Sequence, residues 1–113
     1  MHRGDVWLIN LDPAVGAEIK KTRPAVIVND DAVGILPLRV IVPITEWKDR
    51  YTVAPWLVPL KPDAQNGLDK PSAADTFQVR SLSRSRFVQQ LGRLSEMNMQ
   101  EITRALALVL SID

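Results

Sequence analysis

The sequence has 113 residues, of which 14 are basic and 13 acidic, giving a net charge of +1 and an isoelectric point near 8.1. It has no cysteine and one histidine, His2, which excludes disulfides, thiolate metal sites, a cysteine nucleophile and any mechanism that needs two imidazoles. A chain of this length is typical of a single domain, here expected over residues 1–113. The near-neutral charge neither supports nor excludes a nucleic-acid partner. No apolar run approaches the roughly 18 residues of a membrane span, and a strand pattern begins too close to Met1 for a signal peptide, so we expect a cytoplasmic protein.

Strand-like segments follow one another along most of the chain. Their β-branched and aromatic content predicts strands within residues 5–11, 25–29, 39–44, 53–60, 73–79 and 87–91. Continuous apolar residues at 25–28 and 40–42 favour central strands covered on both faces, or barrel strands. The pair Asn66-Gly67 predicts a tight turn.

The C-terminus is the one segment that predicts a long helix. Ser95 or Asn98 is its expected N-cap, and a short helical turn is expected from Ser83. The apolar residues expected on the buried helix face are Met99, Ile102, Leu106, Val109 and Leu110. Many short strands followed by one helix indicate a small β-barrel or an α+β domain.

Residues 16–24 form a charged loop between the first two strands. The loop contains Glu18, Lys20, Lys21 and Arg23, and it is either a solvated surface loop or a functional one. Pro24 biases Arg23 toward an extended backbone, which directs a guanidinium able to bind a phosphate through two parallel hydrogen bonds. The alternative for Arg23 is an ordinary surface ion pair.

Further candidates lie at the ends of later strands. Thr45 ends an apolar strand, where it either caps the turn at Glu46 or donates a hydrogen bond to a phosphate oxygen. Gln78 and Arg80 are expected on one face of a strand, and Arg86 belongs to a second basic cluster; all three either meet a ligand or form a polar outer edge. No spacing of carboxylates predicts a metal site.

Taken in order, these segments resemble the MazF/PemK toxin family from Arg3 to Ile112. The matching blocks, in chain order, are Arg3-Gly4-Asp5-Val6-Trp7, Asp12-Pro13, Val15-Gly16-Ala17-Glu18, Arg23-Pro24-Ala25-Val26-Ile27-Val28, Pro43-Ile44-Thr45, Gly67-Leu68, Ser72 and Gln78-Val79-Arg80-Ser81-Leu82. Each block is common by itself, but their order and spacing over the whole chain are specific.

The resemblance implies an SH3-like β-barrel of the CcdB/PemK type with a C-terminal helix. It also implies a homodimer that cuts single-stranded RNA without metal or cofactor, and an acidic MazE-like antitoxin that covers the RNA site. By the family pattern Arg23 and Thr45 are the catalytic pair, and Glu18 matches a loop glutamate implicated in some members. Lys20 and Lys21 depart from many relatives. The residues expected to contact RNA are Lys20, Lys21, Thr22, Gln78, Arg80 and Arg86.

RNA cleaves itself when its 2′-hydroxyl attacks the neighbouring phosphorus, which leaves a 2′,3′-cyclic phosphate and a 5′-hydroxyl. In such a reaction Arg23 would stabilise negative charge on the phosphorane and Thr45 would donate to a non-bridging oxygen. An arginine is a poor base, so Glu18 is the more credible proton acceptor, and the choice stays open. Two other classes remain: a non-catalytic CcdB-like toxin, whose Trp-Gly-Ile tail this chain lacks, and an SH3-like binding module.

Overall fold

The computed structural model describes residues 1–34 and 36–113. Its seven strands are β1 (Asp5–Asn10), β2 (Thr22–Ile27), β3 (Leu38–Glu46), β4 (Leu57–Leu60), β5 (Ser72–Asp75), β6 (Arg80–Ser83) and β7 (Phe87–Arg93). One α-helix, α1 (Glu96–Leu110), follows the last strand, and 3₁₀ turns lie at Asp49–Val53, Thr76–Gln78 and Arg84–Arg86. The predicted mainly β fold with a C-terminal helix is confirmed.

The strands form one antiparallel sheet in the order β4-β5-β3-β2-β1-β7, with β6 also paired to β3. β1 pairs with β2 on one side and with β7 on the other, so the first and the last strand are neighbours in the sheet. β3 is the most connected strand, because it pairs with β2, β5 and β6.

Residues 25–28 are all buried, and their side chains alternate between two apolar clusters. Val26 and Val28 belong to the larger cluster, which includes the buried face of α1, whereas Ala25 and Ile27 belong to the smaller one. This continuous run, which ends one residue past β2, is therefore covered on both faces, as the sequence indicates.

Helix α1 begins after Ser95, whose hydroxyl oxygen accepts a hydrogen bond from the Asn98 backbone N–H at 3.1 Å. Ser95 is thus the N-cap, and the alternative cap at Asn98 is wrong. Met99, Ile102 and Ala105 are the residues of α1 that are buried against the sheet. Within the described ranges, no helix is both long and apolar enough to span a membrane.

The segment between β4 and β5 lies directly on β7. Asn66 is fully buried there, and its side chain binds the backbone of the same segment at three points. A β-carbon added at Gly67 would lie 2.2 Å from the Leu91 carbonyl oxygen, and one added at Gly92 would lie 2.1 Å from the Gln65 carbonyl oxygen. The predicted turn at Asn66-Gly67 is present, and it brings two backbones closer than any side chain would allow.

β2 and β3 part from each other at two prolines. Their pairing ends at Ala25 opposite Pro43, and from Ile44 onward the strand β3 pairs with β5. Neither Pro24 nor Pro43 has a backbone N–H to donate to a neighbouring strand. The first residues of β2 and the last residues of β3 therefore flank a gap rather than a ladder.

Two predicted strands are shorter than expected because 3₁₀ turns interrupt them. The predicted strand at 53–60 is reduced to β4, since Val53 ends a 3₁₀ turn. The predicted strand at 73–79 stops at Asp75, whose carboxylate accepts a hydrogen bond from the Phe77 N–H and caps the next turn. Gln78 ends that turn and Arg80 starts β6, so the expectation that they share a strand face is wrong.

Candidate active site

Residues on both sides of the gap between β2 and β3 line a cavity of about 260 Å³. β1, β2, β3, β5, β7 and the segment before β5 all contribute to its wall. The lining residues are Leu8, Arg23, Pro24, Ile44, Thr45, Glu46, Gly67, Leu68, Asp69, Lys70, Ser72 and Leu91. We call this cavity the β2–β3 cleft. It contains both residues of the expected catalytic pair.

Arg23 is the second residue of β2, where it pairs with Ile9 of β1. Its side chain is half-buried, and Nε lies 3.4 Å from the Lys20 carbonyl oxygen. Across residues 1–34 and 36–113, no carboxylate lies within ion-pair distance of its guanidinium. The alternative of a surface ion pair is therefore not what the structure has, and the charge is available to an anion in the cleft.

Thr45 is half-buried in β3, where it is paired with Ala73 of β5. β3 continues through Glu46, and the Trp47 N–H then donates to the Pro71 carbonyl oxygen at 3.0 Å. Thr45 therefore does not cap a turn. The last antiparallel pair of β2 and β3 is Ala25 with Pro43. If that register is extended by two residues, Arg23 faces Thr45 across the gap, where the two strands are no longer hydrogen-bonded to each other.

Glu18 lies outside this cleft. Its Oε1 accepts a hydrogen bond from the Val15 N–H at 2.7 Å, and its own N–H donates to the Val15 carbonyl oxygen at 3.2 Å. The side chain thus closes a small turn within the loop, is exposed, and is absent from the cleft lining. The structure does not bring it to Arg23 and Thr45.

Gln78 holds the same loop in place. Its Oε1 accepts from the Ile19 N–H at 2.6 Å, and its Nε2 donates to the Ala17 carbonyl oxygen at 3.3 Å and to Asp75 Oδ2 at 3.3 Å. Ile19 also packs on the smaller apolar cluster. Burial raises the pKa of the Asp75 carboxyl, against the lowering effect of hydrogen bonds from Phe77 and Gln78. The amide predicted to contact RNA is therefore occupied in anchoring the loop that precedes Arg23.

The other predicted RNA contacts have different surroundings. Lys20 and Thr22 are exposed and lie within three residues of Arg23 in sequence, and Lys21 is exposed with a positive φ of 69°. Arg86 Nη1 donates to the backbone carbonyls of Asn10 and Asp12, at the base of the loop. Arg80 is half-buried in β6, opposite Ile41 of β3. None of these residues lines the cleft: Lys20, Lys21 and Thr22 immediately precede Arg23 in sequence, and Arg86 supports the loop.

Sequence reasoning missed three charged residues in the cleft: Glu46, Asp69 and Lys70. Glu46 and Lys70 form an exposed ion pair, with Oε2 and Nζ 3.8 Å apart. Glu46 had a signal, since it directly follows Thr45 on the strand. Asp69 and Lys70 had none, because only the folding of the 61–71 segment against β7 brings them there.

Among the described residues, no three histidine, cysteine or carboxylate side chains are grouped so as to hold a metal ion. The polar groups of the cleft are two cations, two carboxylates and two hydroxyls, which suit hydrogen bonding and charge stabilisation around a phosphate.

The fold is a small antiparallel sheet followed by one helix, and the candidate site is a cleft of mixed charge at a parted pair of strands. Residues 2–110 match the family model described as PemK-like, MazF-like toxin of type II toxin-antitoxin system. The chain belongs to this family.

Individual relatives agree over nearly the full length. The chain is 32% identical over 118 residues to Endoribonuclease MazF9 of Mycobacterium tuberculosis, covering 99% of this chain and 98% of the relative. It superposes on the crystal structure of MazF (Form-I) from Deinococcus radiodurans with a TM-score of 0.82 at 26% identity, covering 98% and 96% of the two chains. The MazE-MazF (Form-II) crystal structure from the same organism matches with a TM-score of 0.77 at 25% identity, covering 100% and 97%.

Proposed function

We propose that this chain, a MazF-type endoribonuclease, cuts single-stranded RNA at short sequences by attack of the RNA's own 2′-hydroxyl, without a metal ion. The observation that carries the proposal is the placement of Arg23 and Thr45 on two parted strands that line one cleft. The family match over residues 2–110 and the endoribonuclease relative support the enzyme class.

For this reaction the protein must align the 2′-hydroxyl with the phosphorus and stabilise the negative charge that develops on the phosphate oxygens. Arg23, which has no ion-pair partner in residues 1–34 and 36–113, binds the scissile phosphate and stabilises the additional negative charge of the phosphorane. Thr45 donates its hydroxyl hydrogen to a non-bridging oxygen. The products carry a 2′,3′-cyclic phosphate and a 5′-hydroxyl.

RNA binding extends from the cleft along the loop before β2. Lys20, Lys21 and Thr22 are exposed beside Arg23 and contact backbone phosphates that flank the cut. Arg80 contributes a further charge, while Gln78 and Arg86 act by holding the loop to the barrel.

The partners follow from the family. The matched MazE-MazF structure supports a MazE-like antitoxin as the partner. An acidic segment of that antitoxin lies across the RNA site, where Arg23 offers a charge without an ion-pair partner in residues 1–34 and 36–113. The protein works in the cytoplasm as a homodimer of single-domain subunits, each spanning residues 1–113.

The test is to incubate the purified protein with a long in vitro transcript in excess EDTA and to identify the fragment ends. We expect cutting to continue and the upstream fragments to end in a cyclic phosphate. Thr45→Ala lowers the cleavage rate by about 10²- to 10³-fold, the effect of losing one donor to a developing oxyanion. Arg23→Ala has at least this effect, and both variants keep the wild-type elution volume.

Three other results would each contradict a different part of the proposal. A 5′-phosphate product, or activity that needs added Mg²⁺, contradicts attack by the 2′-hydroxyl. Wild-type cutting by Thr45→Ala removes Thr45 from the site. An intact transcript with wild-type protein leaves the CcdB-like toxin or the binding module as the function.

A further inference from the structure

Glu46 places a carboxylate in the β2–β3 cleft. It is the last residue of β3, adjacent to Thr45, and it is paired with Ser72 of β5. Its side chain is 60% exposed, so solvent and RNA both reach it. Its ion pair with Lys70, at 3.8 Å, joins two charged residues of the cleft wall that also contains Arg23 and Thr45.

Attack by a 2′-hydroxyl requires a group that takes its proton. A guanidinium has five N–H donors and no acceptor atom, so a carboxylate suits the role of base better. Glu18 is engaged with the Val15 N–H in its own turn and is not part of the cleft wall. Asp69 does line the cleft, but it lies on a loop, whereas Glu46 is fixed on a paired strand.

The geometry points to Glu46 as the general base of the proposed RNA cleavage, an inference that rests on the proposed function. The Glu46 carboxylate takes the proton from the 2′-hydroxyl while O2′ forms its bond to phosphorus. The bond from phosphorus to O5′ breaks, and O5′ leaves with the electron pair and takes a proton from a solvent water. The hydroxide left behind removes the proton from Glu46, which restores the carboxylate.

Lys70 is a positioning residue in this scheme. An exposed ion pair holds a side chain only weakly, so Lys70→Ala affects the rate less than loss of the carboxylate itself. Its ammonium also offsets repulsion between Glu46 and the scissile phosphate, so its loss raises the apparent dissociation constant of the RNA.

The experiment measures single-turnover cleavage of one transcript across a pH series with Glu46→Gln, Glu46→Asp, Glu18→Gln and Asp69→Asn. The matched control is Glu96→Gln, a glutamate in the first turn of α1 that is absent from the cleft wall. Glu46→Gln slows cleavage by about 10²- to 10⁴-fold at neutral pH, the usual contribution of a general base. It also removes the acidic limb of the pH–rate profile, whereas Glu46→Asp keeps that limb with a smaller loss of rate.

A purely structural role for Glu46 is excluded by two further readouts. Binding of a 2′-O-methylated RNA by Glu46→Gln stays at the wild-type level or becomes tighter, because the variant removes a negative charge, and its melting temperature matches the wild type. The inference is overturned if Glu46→Gln cuts within about threefold of the wild type or keeps the acidic limb, or if Glu18→Gln or Asp69→Asn loses that limb instead. If the wild-type protein leaves the transcript intact, the proposed function itself fails, which separates the two errors.

Discussion

Replacing Asn66 with alanine tests how the cleft wall is held. The Asn66 side chain accepts hydrogen bonds from the Asp63 N–H at 3.3 Å and the Leu68 N–H at 3.0 Å, and its Nδ2 donates to the Lys61 carbonyl oxygen at 2.9 Å. Each such bond has a net value of about 0.5–1.5 kcal/mol, and Asn66 is fully buried, so the variant loses about 3 kcal/mol of stability. An unfolding entropy of about 2.1 cal/mol/K per residue converts this loss into a fall in melting temperature of about 12 °C.

The assay is thermal unfolding of Asn66→Ala followed by circular dichroism, with urea unfolding as a second measure. Asn98→Ala is the control, because the Asn98 side chain makes one partly exposed contact, to Glu101 within α1. We expect the control to stay within about 0.5 kcal/mol of the wild type. If Asn66→Ala unfolds together with the control, the three hydrogen bonds do not stabilise the 61–71 segment.

Two further predictions concern the backbone contact and the loop. Gly92→Ala puts a β-carbon 2.1 Å from the Gln65 carbonyl oxygen and should lower the free energy of unfolding in urea by about 2–3 kcal/mol. The control Gly16→Ala has nothing within 4 Å and should cost only about 1 kcal/mol, because its φ is positive. Equal losses in the two variants contradict the contact argument. The double variant Lys20→Ala, Lys21→Ala should bind an uncleavable RNA more weakly at low salt and lower the log–log salt slope by about 1.4, and an unchanged slope means that neither lysine meets a phosphate.

The sequence was informative where local pattern and tertiary structure agree. The continuous apolar run at 25–28 predicts a strand covered on both faces, and the structure divides its side chains between two clusters. Ser95 and Ser83 are recognisable caps, since each side chain accepts a hydrogen bond from a backbone N–H two or three residues later. The cleft position of Arg23 and Thr45 came from the family pattern, and the register of β2 and β3 gives its physical basis.

The failures arise where a side chain's partner is distant in sequence. Gln78 looks like a surface residue on a strand, but its partners at Ala17 and Ile19 are about 60 residues away. Asp75 ends its strand early because its carboxylate caps the next turn, which strand propensity does not register. Lys70 reaches the cleft only because the backbone of the 61–71 segment packs closely on β7 at two glycines, Gly67 of the segment and Gly92 of β7. No local sequence pattern encodes that close approach.

The pairing of β1 with β7 has a consequence for synthesis on the ribosome. β1 ends at Asn10 and its second partner begins at Phe87, so about 77 residues must be translated after β1 before that edge is covered. At about 5–20 residues per second this takes roughly 4–15 seconds. The helix that covers the larger apolar cluster is translated later still. A growing chain therefore has one unpaired β1 edge until β7 has been made, and the cleft, whose wall includes Leu91 of β7, cannot form before then.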